Sequence, residues 1–205
     1  FRRALSFELQ PPLYFTTLSV WRELSDSLLV ARLFSTLCTT GALVVLWMAS
    51  RRYLPSMNPC VTLSVAAWNP FVIYAATEAR CYALVLLISC GLLVLWHDGF
   101  LANQPRRSSR FGYFVLSCMA MFTFYPLGLL LAAGGLALVG LRRWRAVGDY
   151  ALVAIGVTVC FLPLAWLVPS QVATHTESNV VPPSMLAAAR LVFWHIRNIV
   201  LPMHW

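Results

Sequence analysis

The chain of 205 residues contains no lysine, and charge of either sign is scarce in it. All 15 of its basic residues are arginines, seven residues are acidic, and charged residues make up 11% of the sequence. Hydrophobic residues make up 60%, which excludes an ordinary soluble globular domain. The composition therefore predicts an integral membrane protein with several spans.

The residue pattern also lacks the spacing of a metal or redox site. The chain has six cysteines but no Cys-x-x-Cys pair, and nearly all of them fall within apolar runs. Its four histidines do not show the spacing that is typical of metal ligands. We therefore interpret the cysteines as small embedded side chains and predict no metal site from these residues.

The net charge of +8 indicates membrane orientation rather than a nucleic-acid partner, because most arginines fall in short loops between apolar runs. Loops rich in arginine stay on the cytoplasmic side of a membrane. Those loops carry Arg51 and Arg52, then Arg106, Arg107 and Arg110, then Arg142, Arg143 and Arg145. The loops that alternate with them are predicted to be external.

Apolar runs of about the 20 residues that a bilayer requires predict about six spans. The runs cover residues 28–49, 60–76, 81–96, 111–141 and 148–168. As one helix, the run 111–141 would be roughly 46 Å long against a hydrocarbon core of about 30 Å. We therefore predict two short spans with a turn at Thr123–Pro126, and a kink at Pro70 in the second run.

The predicted fold is an all-α, polytopic transmembrane helix bundle of about six spans with external interfacial helices. It divides into an external segment at 1–27, the bundle at 28–168 and an external segment at 169–205. An interfacial helix is expected at Pro11–Leu24, and a second amphipathic helix at Ser184–Val200. Because the chain begins at Phe1 rather than Met, we also expect it to be part of a longer protein.

Ionisable side chains gather at the predicted external surface. Glu78 and Arg80 stand between two long apolar runs, so they must either pair with each other or line a site, since charge is costly in hydrocarbon. Arg32, one turn inside a span, either extends to the surface or pairs with Asp26. Arginine offers bidentate donors to phosphate oxygens, which makes a lipid-borne phosphate a fitting ligand. Tyrosines at this level either line a sugar site or form the interfacial aromatic belt.

A family resemblance is carried by short motifs in a consistent order. They are Pro11-Pro-Leu-Tyr14, Ala31-Arg-Leu-Phe-Ser35, Arg51-Arg52, Pro70-Phe-Val-Ile-Tyr74 and Glu78-Ala-Arg-Cys-Tyr-Ala-Leu84. Together they resemble the polytopic glycosyltransferases of the GT-C type, specifically the bacterial protein-mannosyltransferase-like and aminoarabinose-transferase-like group. The resemblance covers about residues 11 to 168. It departs from the pattern at Ser35, where many relatives have proline, and at Phe124, where they often have histidine.

The resemblance implies inverting transfer of a sugar from a polyprenyl-phosphate-linked donor to an acceptor on the external side. Arg80 would meet the carrier phosphate, Glu78 would orient Arg80, and Tyr82 would shape the cavity. Tyr14 and Arg32 are further substrate-binding candidates.

In such enzymes an acidic residue in the first external loop helps to organise the site. That loop would precede Phe1, so the catalytic residue is unknown here and the chain alone is expected to be an incomplete, inactive enzyme.

The resemblance also implies a location and partners. The protein would be a multi-pass protein of the bacterial inner membrane, in contact with membrane lipid, the lipid-linked donor and an acceptor that is protein, lipid or polysaccharide. The resemblance assigns no cofactor with certainty, and it leaves open whether a divalent metal takes part. The alternatives are a transporter or flippase-like protein and a non-catalytic multi-span subunit. Transporters place their sites near the midplane, often between repeated halves, and no repeat is visible in this sequence.

Overall fold

The computed structural model describes residues 12–165, which form eight α-helices and one π-helical segment and contain no strand. The helices are α1 (Pro12–Arg22), α2 (Leu28–Tyr53), α3 (Pro59–Ala67), α4 (Pro70–Thr77), α5 (Tyr82–Trp96), α6 (Arg107–Met121), α7 (Leu127–Gly140) and α8 (Trp144–Ala165). The π segment, His97–Leu101, continues α5. The predicted all-α class is confirmed. The predicted helix at Ser184–Val200 and the predicted external segment 169–205 lie outside the described residues.

Three of the described helices are long and apolar enough to cross a membrane, and the bent pair α3–α4 makes a fourth span if it is counted as one. The three are Leu28–Tyr53, Tyr82–Leu101 and Trp144–Pro163. α6 and α7 have 15 and 14 residues, shorter than the roughly 17 to 25 residues of a span. Length and composition thus support up to four of the about six spans, and crossing by α6 and α7 stays a prediction.

Two breaks between helices lie at Pro70 and Pro126, where the sequence predicted a kink and a turn. α3 and α4 meet at a bend of 65°, and Pro70 opens α4. Asn69 caps that helix by accepting the N–H of Phe71 at 2.9 Å. Proline has no N–H to bond with the preceding turn, so a helix starts there more readily than it continues. The kink predicted at Pro70 is therefore a complete break. The turn predicted at Thr123–Pro126 is confirmed, because α6 ends at Met121 and α7 starts directly after Pro126.

Contacts between the helices place their connecting loops at two ends of the bundle. α2 packs against α3, α4 and α5; α5 also packs against α6, and both α6 and α7 pack against α8. The arginine-rich end contains the loops at 54–58, 102–106 and 141–143, and the Arg80 end contains those at 23–27, 78–81 and 122–126. At the arginine-rich end the hydroxyls of Ser50 and Thr62 are 3.1 Å apart. At the Arg80 end the hydroxyl of Thr36 donates to the carbonyl of Ala76 at 3.2 Å.

α1 is tied to two parts of the Arg80 end. The backbone N–H of Leu13 donates to the carbonyl of Phe122 at 2.9 Å, in the turn between α6 and α7. The indole N–H of Trp21 donates to the carbonyl of Val30 at 2.8 Å, near the start of α2. A short helix fixed to a turn and to the first turn of α2 matches the interfacial helix predicted at Pro11–Leu24 in extent. Its position in the membrane interface stays a prediction.

The core at the arginine-rich end is aromatic. The ring of Phe100, in the π segment, packs edge-on against Tyr113 and Tyr150 with centroids 5.4 and 5.1 Å away. The hydroxyls of the two tyrosines are 2.9 Å apart, and Tyr150 also donates to the carbonyl of Leu131. These contacts join the π segment to α6, α7 and α8, and they bury the residues directly after Trp96 instead of releasing them into a loop.

Candidate functional site

Arg80 lies in the short link between α4 and α5, where its side chain is exposed. It forms no ion pair with any carboxylate in the described part of the chain. Its pKa is raised, first by a hydrogen bond with Tyr82 and then by charge interactions with Tyr74 and, to a smaller extent, Glu78. Arg80 is therefore a permanent cation at this end of the bundle, and some of its N–H donors remain available to a hydrogen-bond acceptor on a ligand.

Tyr82 belongs to an aromatic cluster that joins α4 to α5. Its ring centroid is 5.9 Å from that of Tyr74 and 6.2 Å from that of Phe71. Tyr82 is half-buried, whereas Tyr74 and Phe71 are 42% and 48% exposed. The cluster thus places aromatic rings at the same helix link as Arg80, which interacts with the hydroxyls of Tyr82 and Tyr74. This combination suits either a sugar ring next to a phosphate or the aromatic belt of a membrane interface.

Glu78 is the residue at which α4 ends. Its backbone N–H closes the helix by donating to the carbonyl of Tyr74 at 3.1 Å, and its side chain is half-buried. Glu78 and Arg80 do not form the mutual ion pair that the sequence left open, since the structure contains no salt bridge between them. A carboxylate and a guanidinium therefore stand two residues apart and interact through their charges without forming a direct ion pair.

Arg32 is exposed on α2 at the same end of the bundle. It precedes Thr36 by one helical turn, so the two side chains share a face of α2. Thr36 bonds to the carbonyl of Ala76, which places Arg32 at the level of the link that follows α4. The pairing with Asp26 that the sequence left open is not formed, because Asp26 pairs instead with Arg22 at 3.1 Å.

Tyr14 is buried between α1 and α2, with 3% of its surface exposed. Its ring packs against Phe15 and Phe34, with centroid distances of 5.5 and 6.4 Å. Of the five predicted substrate-binding residues, the structure brings Glu78, Arg80 and Tyr82 together at one helix link and places Arg32 at the same end. Tyr14 packs in the core beneath α1.

Sequence reasoning missed a polar cluster at the arginine-rich end, centred on Asp98. The Asp98 side chain is 9% exposed, and its two oxygens have different partners. Oδ1 accepts the hydroxyl of Tyr53 at 2.8 Å and lies 3.4 Å from Nδ1 of His97, while Oδ2 is 2.9 Å from Nη1 of Arg52. The rings of Tyr53 and His97 also pack, with centroids 4.0 Å apart.

One sequence signal could have indicated this cluster. His97-Asp98 follows an apolar run directly, and Asp98 is one of only two acidic residues among the arginine-rich loops and their flanks. The other, Asp149, pairs with Arg110 at 2.7 Å. Each carboxylate thus pairs with an arginine from a different helix, and the two ion pairs hold helices together. Within residues 12–165, no group of three or more His, Cys, Asp or Glu side chains is placed to hold a metal ion.

Comparison of the chain with protein-family models, with curated proteins and with solved structures gives no match in any of the three cases. The resemblance to GT-C-type enzymes therefore depends on the chain's own motifs.

Proposed function

We propose that this chain belongs to an inverting GT-C-type glycosyltransferase that moves a sugar from a polyprenyl-phosphate-linked donor to an acceptor outside the membrane. The observation that carries this proposal is Arg80, an exposed arginine without a carboxylate partner, next to Tyr82 and Tyr74 at a helix link. The all-α bundle with apolar helices supports a multi-pass membrane protein, and we propose the bacterial inner membrane as its location.

Arg80 would bind the phosphate that joins the sugar to its lipid carrier. A guanidinium presents a planar set of donors that matches two phosphate oxygens. Hydrogen bonds to charged groups contribute about 1.5–3 kcal/mol, or about tenfold to a hundredfold in affinity. Arg32, at the same end of α2, would add a second positive charge to the field that attracts the donor.

In the transfer step, the bond between C1 of the sugar and the phosphate oxygen breaks, and its electron pair leaves with polyprenyl phosphate. An acceptor oxygen forms the new bond to C1 from the opposite face and passes its proton to a base. Arg80 would stabilise the negative charge that develops on the leaving phosphate, which is the role expected of a preorganised cation. Glu78, which forms no ion pair with Arg80 in this structure, would act on Arg80 through its charge. We assign no catalytic base among the described residues.

Donor binding by the 205-residue chain in lipid nanodiscs tests the assignment of Arg80. Polyprenyl phosphate should bind about tenfold or more weakly to Arg80→Ala, while Arg80→Lys keeps part of the affinity. Arg22→Ala is the matched control, because it removes one arginine from the same end of the bundle, where Arg22 is paired with Asp26. Equal weakening by Arg22→Ala would show that surface charge alone attracts the carrier.

A sugar-transfer assay with the gene's complete protein product tests the activity itself. With a radiolabelled polyprenyl-phosphate sugar, Arg80→Ala should lower the rate of sugar transfer while the amount of protein in the membrane stays the same. Unchanged transfer would remove Arg80 from the site. Uptake of a sugar phosphate that depends on Arg80, without any transfer, would favour the transporter alternative.

A further inference from the structure

Two neighbouring apolar grooves follow the contact between α2 and α5 near the arginine-rich end. One, of about 270 Å³, has walls that include Met48 and Gly91, and it is bordered by Arg52 and Tyr53. The other, of about 240 Å³, also contacts Tyr53 and extends to His97. Ala49 and Val94 line both grooves. A pair of apolar grooves that share a border suits a ligand with two hydrocarbon chains.

The residues at this border are polar and held in place. Arg52 uses Nη1 to bind the buried carboxylate of Asp98, and 52% of the Arg52 side chain is exposed. A guanidinium has five N–H donors, so this ion pair leaves donors for a second acceptor. Tyr53 is fixed by its bond to the same carboxylate. Arg52 is therefore an oriented donor group beside an apolar surface.

Arg51, the neighbour of Arg52 at the end of α2, lines neither groove but adds positive charge beside their border. The Arg52–Asp98 pair is neutral as a unit, whereas Arg51 forms no ion pair in the described structure. Its guanidinium lies 5.0 Å from the ring centroid of Trp47, on the preceding turn of α2. Trp and Arg side chains of this kind are typical of the membrane interface, and each arginine near an anionic surface contributes about 1 kcal/mol of attraction.

We propose that these grooves bind one anionic diacyl phospholipid from the leaflet at the arginine-rich end. Its phosphate contacts Arg51 and Arg52, and its acyl chains lie in the grooves on either side of Tyr53. A soluble phosphate compound would leave the apolar walls empty, so the chemistry selects a lipid headgroup over a free phosphate. The site is separate from the Arg80 end and does not depend on the proposed transferase activity.

Native mass spectrometry of the purified 205-residue chain with equal amounts of phosphatidylglycerol and phosphatidylcholine tests this site. The wild-type chain should retain more phosphatidylglycerol than phosphatidylcholine. Arg51→Gln should lower that preference about fivefold, the equivalent of one arginine at an anionic surface. Ala49→Leu, which adds side-chain volume to both grooves, should lower the retention of either lipid. Neither change touches the ion pair of Asp98, so both variants are expected to fold.

Arg143→Gln is the matched control, because it removes an exposed arginine at the same end that, unlike Arg51, is not adjacent to a residue that lines either groove. It should leave the preference unchanged. An equal loss in Arg143→Gln, or full preference in Arg51→Gln, would overturn the proposal in favour of a diffuse positive surface. Displacement of the lipid by millimolar inorganic phosphate would also overturn it, since it would show that the acyl chains contribute no binding.

Discussion

The hydroxyl of Tyr53 donates a hydrogen bond of 2.8 Å to Oδ1 of Asp98, and this bond joins the last residue of α2 to the π segment that continues α5. Arg52, the neighbour of Tyr53, binds the other carboxylate oxygen at 2.9 Å. A carboxylate that is nine-tenths buried has lost most of its water and depends on such partners. The polar bonds of Asp98 therefore stabilise the contact between α2 and α5, in addition to apolar packing.

Replacing Asp98 by Asn should weaken this fixation. The variant removes the charge that Arg52 pairs with and keeps the size of the side chain. Because the carboxylate is buried but Arg52 is half-exposed, we expect the free energy of unfolding to fall by about 1–3 kcal/mol. Unfolding by sodium dodecyl sulfate in mixed micelles, followed by circular dichroism, measures this loss.

The matched control is Asp149→Asn, which removes the other carboxylate at the arginine-rich end. Asp149 pairs with Arg110 at 2.7 Å, but its side chain is 40% exposed. Water screens such a pair, so its loss should cost less than about 1 kcal/mol. Equal destabilisation by the two variants would contradict the special role of Asp98.

Gly99, in the π segment, should not tolerate alanine. An added Cβ would lie 3.3 Å from the backbone nitrogen of Arg110 and 3.2 Å from its Cγ. A backbone atom cannot move aside as a flexible side chain does, and Arg110 also donates from Nε to the carbonyl of Gly99 at 2.8 Å. We expect Gly99→Ala to destabilise the protein by about 1–3 kcal/mol, the usual cost of overpacking.

Gly148→Ala provides the comparison for Gly99. In α8, a Cβ at Gly148 would meet nothing within 4 Å, so alanine should stabilise the helix by about 0.5–1 kcal/mol. The same unfolding assay should thus move in opposite directions for the two variants. Stabilisation by Gly99→Ala would mean that the π segment and α6 are farther apart than the structure has them.

Tyr14 should behave as a packing residue. Because its ring is buried against Phe15 and Phe34, Tyr14→Ala is expected to cost about 3–5 kcal/mol, the range for buried aromatic rings. Tyr14→Phe keeps the ring and should cost much less in the same unfolding assay. A Tyr14→Ala variant that folds with wild-type stability and loses only donor binding would contradict the packing role and support Tyr14 as a substrate contact.

The sequence predicted those parts of the fold that depend on local rules. Run lengths indicated the helices, and Pro70 and Pro126 marked the breaks because a missing N–H acts on its own turn. The isolated charge of Arg80 between apolar runs likewise predicted a position at a helix link, which the structure confirms. Each of these inferences needed only neighbouring residues.

The parts that were missed depend on pairing between distant residues. Tyr53 and Asp98 are 45 positions apart, and nothing near either one indicates the other. The apolar run that predicts the third span ends at Trp96, before the polar residues His97 and Asp98. The buried ion pair and the contacts of Phe100 instead extend the helical segment to Leu101. The burial of Tyr14 was missed for the same reason, since its position in a motif does not give the direction of its ring.

The predicted orientation, in which the arginine-rich loops lie on the cytoplasmic side, can be tested by cysteine labelling. Ser25 lies in a loop at the Arg80 end and Ser56 in a loop at the arginine-rich end, and both are exposed. In a chain whose six native cysteines are replaced by alanine, we introduce Ser25→Cys or Ser56→Cys. Because arginine-rich loops stay inside the cell, a membrane-impermeant maleimide should label Cys at position 25 in intact spheroplasts. Position 56 should react only after the membrane is permeabilised. The reverse pattern would place Arg80 inside the cell and would contradict an external sugar-phosphate site, whereas labelling of both positions in intact cells would contradict a membrane crossing by α2.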